Sequence, residues 1–241
     1  MTQISELDVV VPVYNERENV APLYREIAEA IGDLGDYRVL FVDDGSTDGT
    51  SEVLTELART NAAVTVLRFS ENRGQSAAFA AGFCAAERSH VATLDGDRQN
   101  DPADLPKLVE TMEQEDTDVV LGYREQRNDG LKKKVGSYVA NHVRNWVLGE
   151  SIVDTGCSLK LFRRPVVQTF PCFEGMHRFF PSLVLMNGYT LTQVATSHRP
   201  RPWGETKYSL TGRFKRVLLD LFGVLWLKNR SLNSTVDERV D

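Results

Sequence analysis

Residues 37–60 read YRVLFVDDGSTDGTSEVLTELART. An apolar, β-branched run ends in Asp43 and Asp44, a short polar turn follows, and the chain then opens into a helix-forming stretch. The unit is strand, acidic turn, helix. It decides the fold because the chain repeats it on both sides. Before it stand LDVVVPVY (7–14) and NERENVAPLYREIAEAIGDLG (15–35), where Val20, Leu23, Ile27 and Ile31 fall at helical spacing. Asn19 is the expected cap of that helix, and Gly32 and Gly35 its stop. After it come AVTVLRFS (63–70), GQSAAFAAGFCAAER (74–88), HVATLD (90–95), DPADLPKLVETMEQ (101–114) and TDVVLGYR (117–124). Apolar strands alternating with amphipathic helices imply an α/β domain whose mostly parallel, Rossmann-like sheet is covered on both faces.

The second half is less regular. KKVGSYVANHVRNWVLG (133–149) reads as helix, SLKLFRR (158–164) and TLTQVATSHRP (190–200) as strands, and GRFKRVLLDLFGVLWLKNR (212–230) as an amphipathic helix before a polar tail. The expected organisation is one domain over 1–212, regular over 1–124 and less regular over 125–212. A C-terminal helix over 213–230 and a tail over 231–241 complete it.

Composition narrows the function. The 241 residues are 41% hydrophobic and 26% charged, ordinary for one globular domain. The net charge of −6 and a pI near 5.4 argue against a nucleic-acid partner. Positive charge is nevertheless concentrated. Residues 122–146 hold six Lys/Arg against two acids, and residues 198–216 hold six against one. An anionic partner is expected to meet this half. Cys84, Cys157 and Cys172 show neither disulfide nor zinc spacing, which fits a reducing cytoplasm. The N-terminus lacks a signal-peptide pattern, and no apolar run approaches the roughly 20 residues of a membrane span.

In an open parallel sheet, ligands bind beyond the carboxyl ends of the strands. Here those ends carry Pro12, Tyr14, Asn15 and Glu16; then Asp43 and Asp44; then Asp95, Asp97 and Gln99. One acidic turn alone is more often a solvated turn or a helix cap. Three in order, each after a strand, point to one crevice. Asp95 and Asp97 offer hard oxygens around a Gly96 turn and suit Mg²⁺ or Mn²⁺, with Gln99 within reach of the same ion or ligand. The helix after ENRGQSAA (71–78) opens toward this crevice; its amides favour an anion, unless Asn72 caps them.

The motifs VVPVYNERENV, FVDDGSTDGT, NRGQSAAFAAGF and TLDGDRQNDP resemble those of family 2 glycosyltransferases with the GT-A fold. DTGCSLKLFRR, GMHRFFP and HRPRPWGETKYSL resemble the polyprenol-phosphate sugar transferases of the dolichol-phosphate mannose synthase type. The resemblance spans about residues 6 to 227. It implies inverting transfer from a UDP- or GDP-sugar to a polyprenyl phosphate. By matching motifs, Pro12, Tyr14, Glu16, Asp43 and Asp44 hold the nucleotide, and Asp95, Asp97 and Gln99 hold metal and donor diphosphate. Arg124, Arg178, Arg199 and Lys207 match the cationic positions near the phosphates. Thr206 stands where Ser is common, and many relatives continue into transmembrane helices.

A sugar hydroxyl acceptor needs a positioned general base, whereas a phosphate monoester is already ionised and needs cations instead. Arg124, Arg127, Lys132 to Lys134, Arg178, Arg199, Arg201 and Lys207 supply such cations, although Lys132 to Lys134 read equally as a solvated or membrane-facing run. Asp154 is the candidate base, or else it positions an acceptor-side arginine or holds a loop. His177 reads as a structural or hydrogen-bonding helper. The C-terminal helix, with basic flanks and Phe222 and Trp226, is expected to lie at a membrane surface, on a membrane-embedded partner, in a homo-oligomer or on the sheet itself. The expected location is peripheral, at the cytoplasmic face. Rival readings are transfer to a saccharide or protein hydroxyl, against which no QxxRW motif is found, and a non-catalytic nucleotide-sugar-binding subunit.

Overall fold

A computed structural model describes residue 4 and residues 6–125, 141–203 and 213–230, the stretch 213–218 as backbone only. Seven strands form one sheet: β1 (Glu6–Val13), β2 (Asp36–Asp43), β3 (Val64–Arg68), β4 (His90–Thr93), β5 (Val119–Arg124), β6 (Lys160–Arg163) and β7 (Leu191–Thr196). Their order is β3-β2-β1-β4-β6-β5-β7. All neighbours pair in parallel except β6, which runs antiparallel between β4 and β5. The helices are α1 (Arg17–Ile31), α2 (Thr50–Thr60), α3 (Gln75–Ala85), α4 (Leu105–Glu115), α5 (141–148 in its described part), α6 (Arg164–Gln168), α7 (Phe180–Met186) and α8 (Arg213–Lys228).

The sheet separates two apolar clusters. One contains Leu23 and Ile27 of α1, Leu54 of α2 and Leu108 and Met112 of α4, packed on Val9, Val11 and Phe41. The other contains Phe79 and Phe83 of α3, Phe170, Phe180 of α7 and Leu221 and Val224 of α8, packed on Val10, Leu40 and Phe162. Small residues let α3 lie very close to the sheet. A Cβ at Gly82 would sit 2.3 Å from Val10 Cγ1. The phenylalanines of α3, β6 and α7 then fill the remaining space with ring centroids 5.5–6.2 Å apart.

Two capping expectations are corrected. Glu16, not Asn19, is the N-cap residue of α1; Asn19 is buried inside the helix and donates to Glu16 Oε2 at 2.7 Å. Gly74 is the N-cap residue of α3, with no side-chain cap, so Asn72 does not close that helix.

At the far edge of β1, buried Asp8 anchors two neighbouring elements. It accepts from Arg38 Nε and Nη2 at 2.9 and 3.1 Å and from the amides of Glu87 and Arg88 at 2.7 and 3.0 Å. Burial alone would raise its pKa, but the hydrogen bonds from Arg38, Arg88 and Glu87 outweigh it and hold the carboxyl below the ordinary range. A depressed carboxylate stabilises the fold above its unfolded pKa, and that contribution is lost as the pH falls below about 4. Asp8→Asn is expected to cost about 2 kcal/mol at pH 7. It should also reduce the steepness of acid unfolding, which chemical denaturation at pH 7 and pH 3 will measure. Equal losses at both pH values would exclude the ionic contribution.

Candidate active site

Strand order reverses between β1 and β4, and the main cleft opens there, with a volume of about 1040 Å³. One wall is the β1 end, Pro12 to Tyr14 with Glu16. The floor is Asp95, Gly96 and Asp97 beyond β4, and the first turn of α3 closes the back. The opposite wall is the turn from Cys172 to Arg178. Gly96 is required by contact: a Cβ there would meet Val13 Cγ1 at 2.6 Å and Pro12 O at 3.2 Å. The two acids are thereby pressed against the end of β1. Among the described residues, Asn15, Arg98 and Asp116 are the non-glycine positions with positive φ. Two of the three lie in the loops at this cleft, where strained backbone is commonly stored.

Burial dominates the acidic pair despite nearby cations. Asp95 is pushed up to about 6, first by burial and then by the charge of Asp97, with Lys160, a hydrogen bond from Ser158 and Arg124 opposing. Asp97 is also raised, by burial and by Glu16, against the Gln99 amide and Arg201. Gln75 Nε2 donates to Asp95 Oδ1 at 2.8 Å, and the Asp95 amide donates to Ser158 Oγ at 3.0 Å. Two desolvated carboxylates, Asp95 raised further by Asp97 and Asp97 by Glu16, fit a divalent cation. Among the described residues no group of three or more His, Cys, Asp or Glu forms a complete cage. Mg²⁺-type sites commonly use one or two carboxylates and complete the shell with water and substrate phosphate.

The sequence's site residues divide into those at the cleft and those behind it. Pro12, Tyr14, Glu16, Asp44, Asp95, Asp97 and Arg178 line it. Asp44 accepts from the amides of Arg73 and Gly74 at 2.7 and 2.9 Å; burial raises its pKa against these bonds. It thus joins the β2 end to the start of α3. Asp43, Gln99, Arg124, Asp154 and Arg199 are not among the lining residues. Asp43 is turned into its own loop, accepting from the Ser46 amide at 3.0 Å and from Ser51 Oγ. Gln99 contributes through its backbone, its amide reaching Asp97 Oδ1 at 3.1 Å. Arg124 grips Asp154 through two bonds of 2.7 and 3.0 Å. Arg199 pairs with Asp101 and, at 3.1 Å, with Glu26. Arg178 lies 3.5 Å from Asp220 of α8. Lys207, like Arg127, Lys132 to Lys134 and the tail 231–241, lies outside the described residues.

Two participants, Lys160 and Gln75, were not among the residues assigned from sequence, whereas Arg201 was named there among the candidate cations. Arg201 reaches the cleft, pairing with Glu16 Oε1 and standing 3.7 Å from Asp97 Oδ2. Lys160 is a buried cation on β6, its pKa lowered by burial against the pull of Cys157, Asp95 and Asp154. Its charge lowers the Asp95 pKa, and a lysine inside the apolar strand SLKLF was its visible signal.

The model of the family described as glycosyl transferase family 2 matches residues 8–170, about two thirds of the protein. The chain belongs to that family. This family 2 glycosyltransferase is 36% identical over 229 residues to the dodecaprenyl-phosphate galacturonate synthase of Rhizobium johnstonii, covering 93% of this chain and 68% of that one. It is 33% identical over 220 residues to the undecaprenyl-phosphate 4-deoxy-4-formamido-L-arabinose transferase of Salmonella paratyphi B, covering 90% and 67%. Its fold is that of glucosyl-3-phosphoglycerate synthase from Mycobacterium tuberculosis, crystallised with Mn²⁺, UDP and glucosyl-3-phosphoglycerate. The TM-score there is 0.70 at 17% identity, covering 95% of this chain and 82% of that one. The expected GT-A architecture is therefore the observed one.

Proposed function

We propose that this chain is a metal-assisted, inverting glycosyltransferase that moves a sugar from a UDP- or GDP-sugar to a polyprenyl phosphate. The observation that carries it is the meeting of both charges in one cleft. Glu16, Asp95 and Asp97 line it together with the cations Arg178 and Arg201. The relatives named for dodecaprenyl and undecaprenyl phosphate support the acceptor class.

In this reading the nucleotide lies along Pro12 to Glu16 and Asp44, with its diphosphate above Asp95 and Asp97. A bound Mg²⁺ or Mn²⁺, held by those two carboxylates, would supply Lewis-acid stabilisation of the leaving diphosphate. Gln75 and Ser158 fix the Asp95 carboxylate and the backbone behind it, and Lys160 limits the cost of their charge. Arg178 holds the incoming phosphate monoester, already an anion near neutral pH, in line with the anomeric carbon. Asp154 is withdrawn into its pair with Arg124. That arrangement favours an acceptor needing no base over a saccharide or protein hydroxyl. The intact acidic pair argues against a purely nucleotide-sugar-binding subunit.

α8 supports attachment at a membrane surface, in this reading the cytoplasmic one. Leu221 and Val224 are buried, while Leu219, Phe222 and Trp226 are 71, 64 and 62% exposed, an apolar stripe on the opposite side. Arg230 stacks over Trp226 at 5.8 Å. No described helix is long and apolar enough to cross a membrane. An interfacial helix would place the cleft beside the lipid headgroups. A homo-oligomer or membrane-embedded partner on this face is the competing occupancy.

Purified protein with Mn²⁺ and a panel of UDP- and GDP-sugars is expected to label polyprenyl phosphate presented in anionic vesicles. It should co-sediment with those vesicles and leave free sugars unlabelled. Labelling of sugar hydroxyls alone would overturn the acceptor, and activity without co-sedimentation would overturn the attachment.

A further inference from the structure

We propose that His177 touches the acceptor phosphate, donating from Nε2, and that Ser76 is the positioning residue that fixes this proton. Ser76 lies in the first turn of α3 and is 8% exposed. Its Oγ accepts from the Gly175 amide at 2.9 Å and pairs with His177 Nδ1 at 2.7 Å. A serine hydroxyl has one proton. The Gly175 N–H occupies one lone pair of the hydroxyl, and in the proposed arrangement Ser76 gives its proton to Nδ1. The neutral imidazole then carries its own proton on Nε2. Phe79 supports the ring, with centroids 6.4 Å apart.

The placement matters as much as the proton. His177 and Arg178 are consecutive in one 3₁₀ turn, Met176–Arg178, and both line the cleft. Gln75, the residue before Ser76, donates to Asp95 on the donor side. The first turn of α3 therefore holds the acidic floor through Gln75 and the cationic wall through Ser76, and sets the spacing between them. In that tautomer of His177, Nε2 is a donor and not a base. That matches a phosphate monoester, which needs its oxygens held and not its proton removed.

The inference rests on the polyprenyl phosphate reading. His177→Phe keeps a ring and removes the donor; His177→Gln places an amide N–H near the Nε2 position. The test is steady-state kinetics in which polyprenyl phosphate and donor are varied separately, with thermal unfolding as the folding control. His177→Phe is expected to raise KM for polyprenyl phosphate by about tenfold or more, the loss of one hydrogen bond to a charged oxygen. KM for the donor should stay within about twofold, and His177→Gln should recover most of the loss. Ser76→Ala is expected to move acceptor KM in the same direction by less; if it fails to fold, the two His177 variants decide. An unchanged acceptor KM in folded His177→Phe, or an equal rise in both KM values, overturns the inference alone. Wild-type protein that never uses polyprenyl phosphate overturns the acceptor reading and this inference with it.

Discussion

Asp97→Asn is expected to lower metal-dependent turnover by about a thousandfold or more while leaving the fold intact. The substitution keeps the shape of the side chain and removes one of the two charges that face the cleft from the DGD turn. In the proposed reaction that charge holds the divalent ion against the leaving diphosphate, a contribution of several kcal/mol, and each 1.36 kcal/mol is tenfold in rate. The stability consequence runs the other way. Asp97 is itself one of the causes, after burial, that hold the Asp95 pKa up to about 6. Removing it relieves a repulsion that the ion-free protein must bear. Metal-free thermal unfolding should therefore be unchanged or shifted upward, and Mn²⁺ binding measured by calorimetry should weaken sharply. This opposition separates a functional cost from simple damage, and it is the pattern expected where a site is held in a destabilised state for activity. Retention of wild-type turnover with undiminished Mn²⁺ dependence would remove the acidic pair from the mechanism.

Much of this site was legible because it is built at strand ends. Each apolar run shows where a strand stops, and the residues that follow it must stand at the sheet's edge. Glu16, Asp44, Asp95 and Asp97 were found in that way. What failed was direction. Asp43 and Asp44 are adjacent, yet only Asp44 lines the cleft, while Asp43 binds Ser46 and Ser51 in its own loop. Arg199 and Arg201 alternate with prolines in RPRP, and the nearer match to a motif position was the wrong guide to the cleft. Arg199 meets Glu26 and Asp101, whereas Arg201 meets Glu16 and Asp97. Which side an irregular segment presents depends on carboxylates contributed by distant loops, and no local period encodes them. The antiparallel direction of β6 was hidden for a related reason. An apolar run announces burial, but not the sense in which the chain re-enters the sheet. Lys160 lies on that strand, where burial lowers its pKa against the pull of Cys157, Asp95 and Asp154.

Asp154→Asn decides among the roles that the sequence left open: general base, positioner of an arginine or holder of a loop. The geometry favours the second. Both Asp154 oxygens are engaged by Arg124, the acid is 4% exposed, and the Gly156 amide donates to Oδ1 at 2.9 Å. Breaking one side of such a buried pair leaves the other charge uncompensated, at a cost of about 3–5 kcal/mol. Arg124 also lowers the Asp95 carboxyl, so the pair stands in electrostatic reach of the acidic floor. If Asp154 works by holding Arg124, then Asp154→Asn and Arg124→Gln disable the same unit. Each is expected to lower turnover by roughly a hundredfold, the scale on which lost positioning acts. The double variant should then be little worse than either single, and its stability should exceed the sum of the two losses, because neither charge remains buried alone. A general base would behave differently. Its removal would flatten the acidic limb of the pH–rate profile, and its effect would multiply with that of Arg124→Gln. Additive losses together with a flattened profile would return Asp154 to the role of base, and with it the possibility of a hydroxyl acceptor.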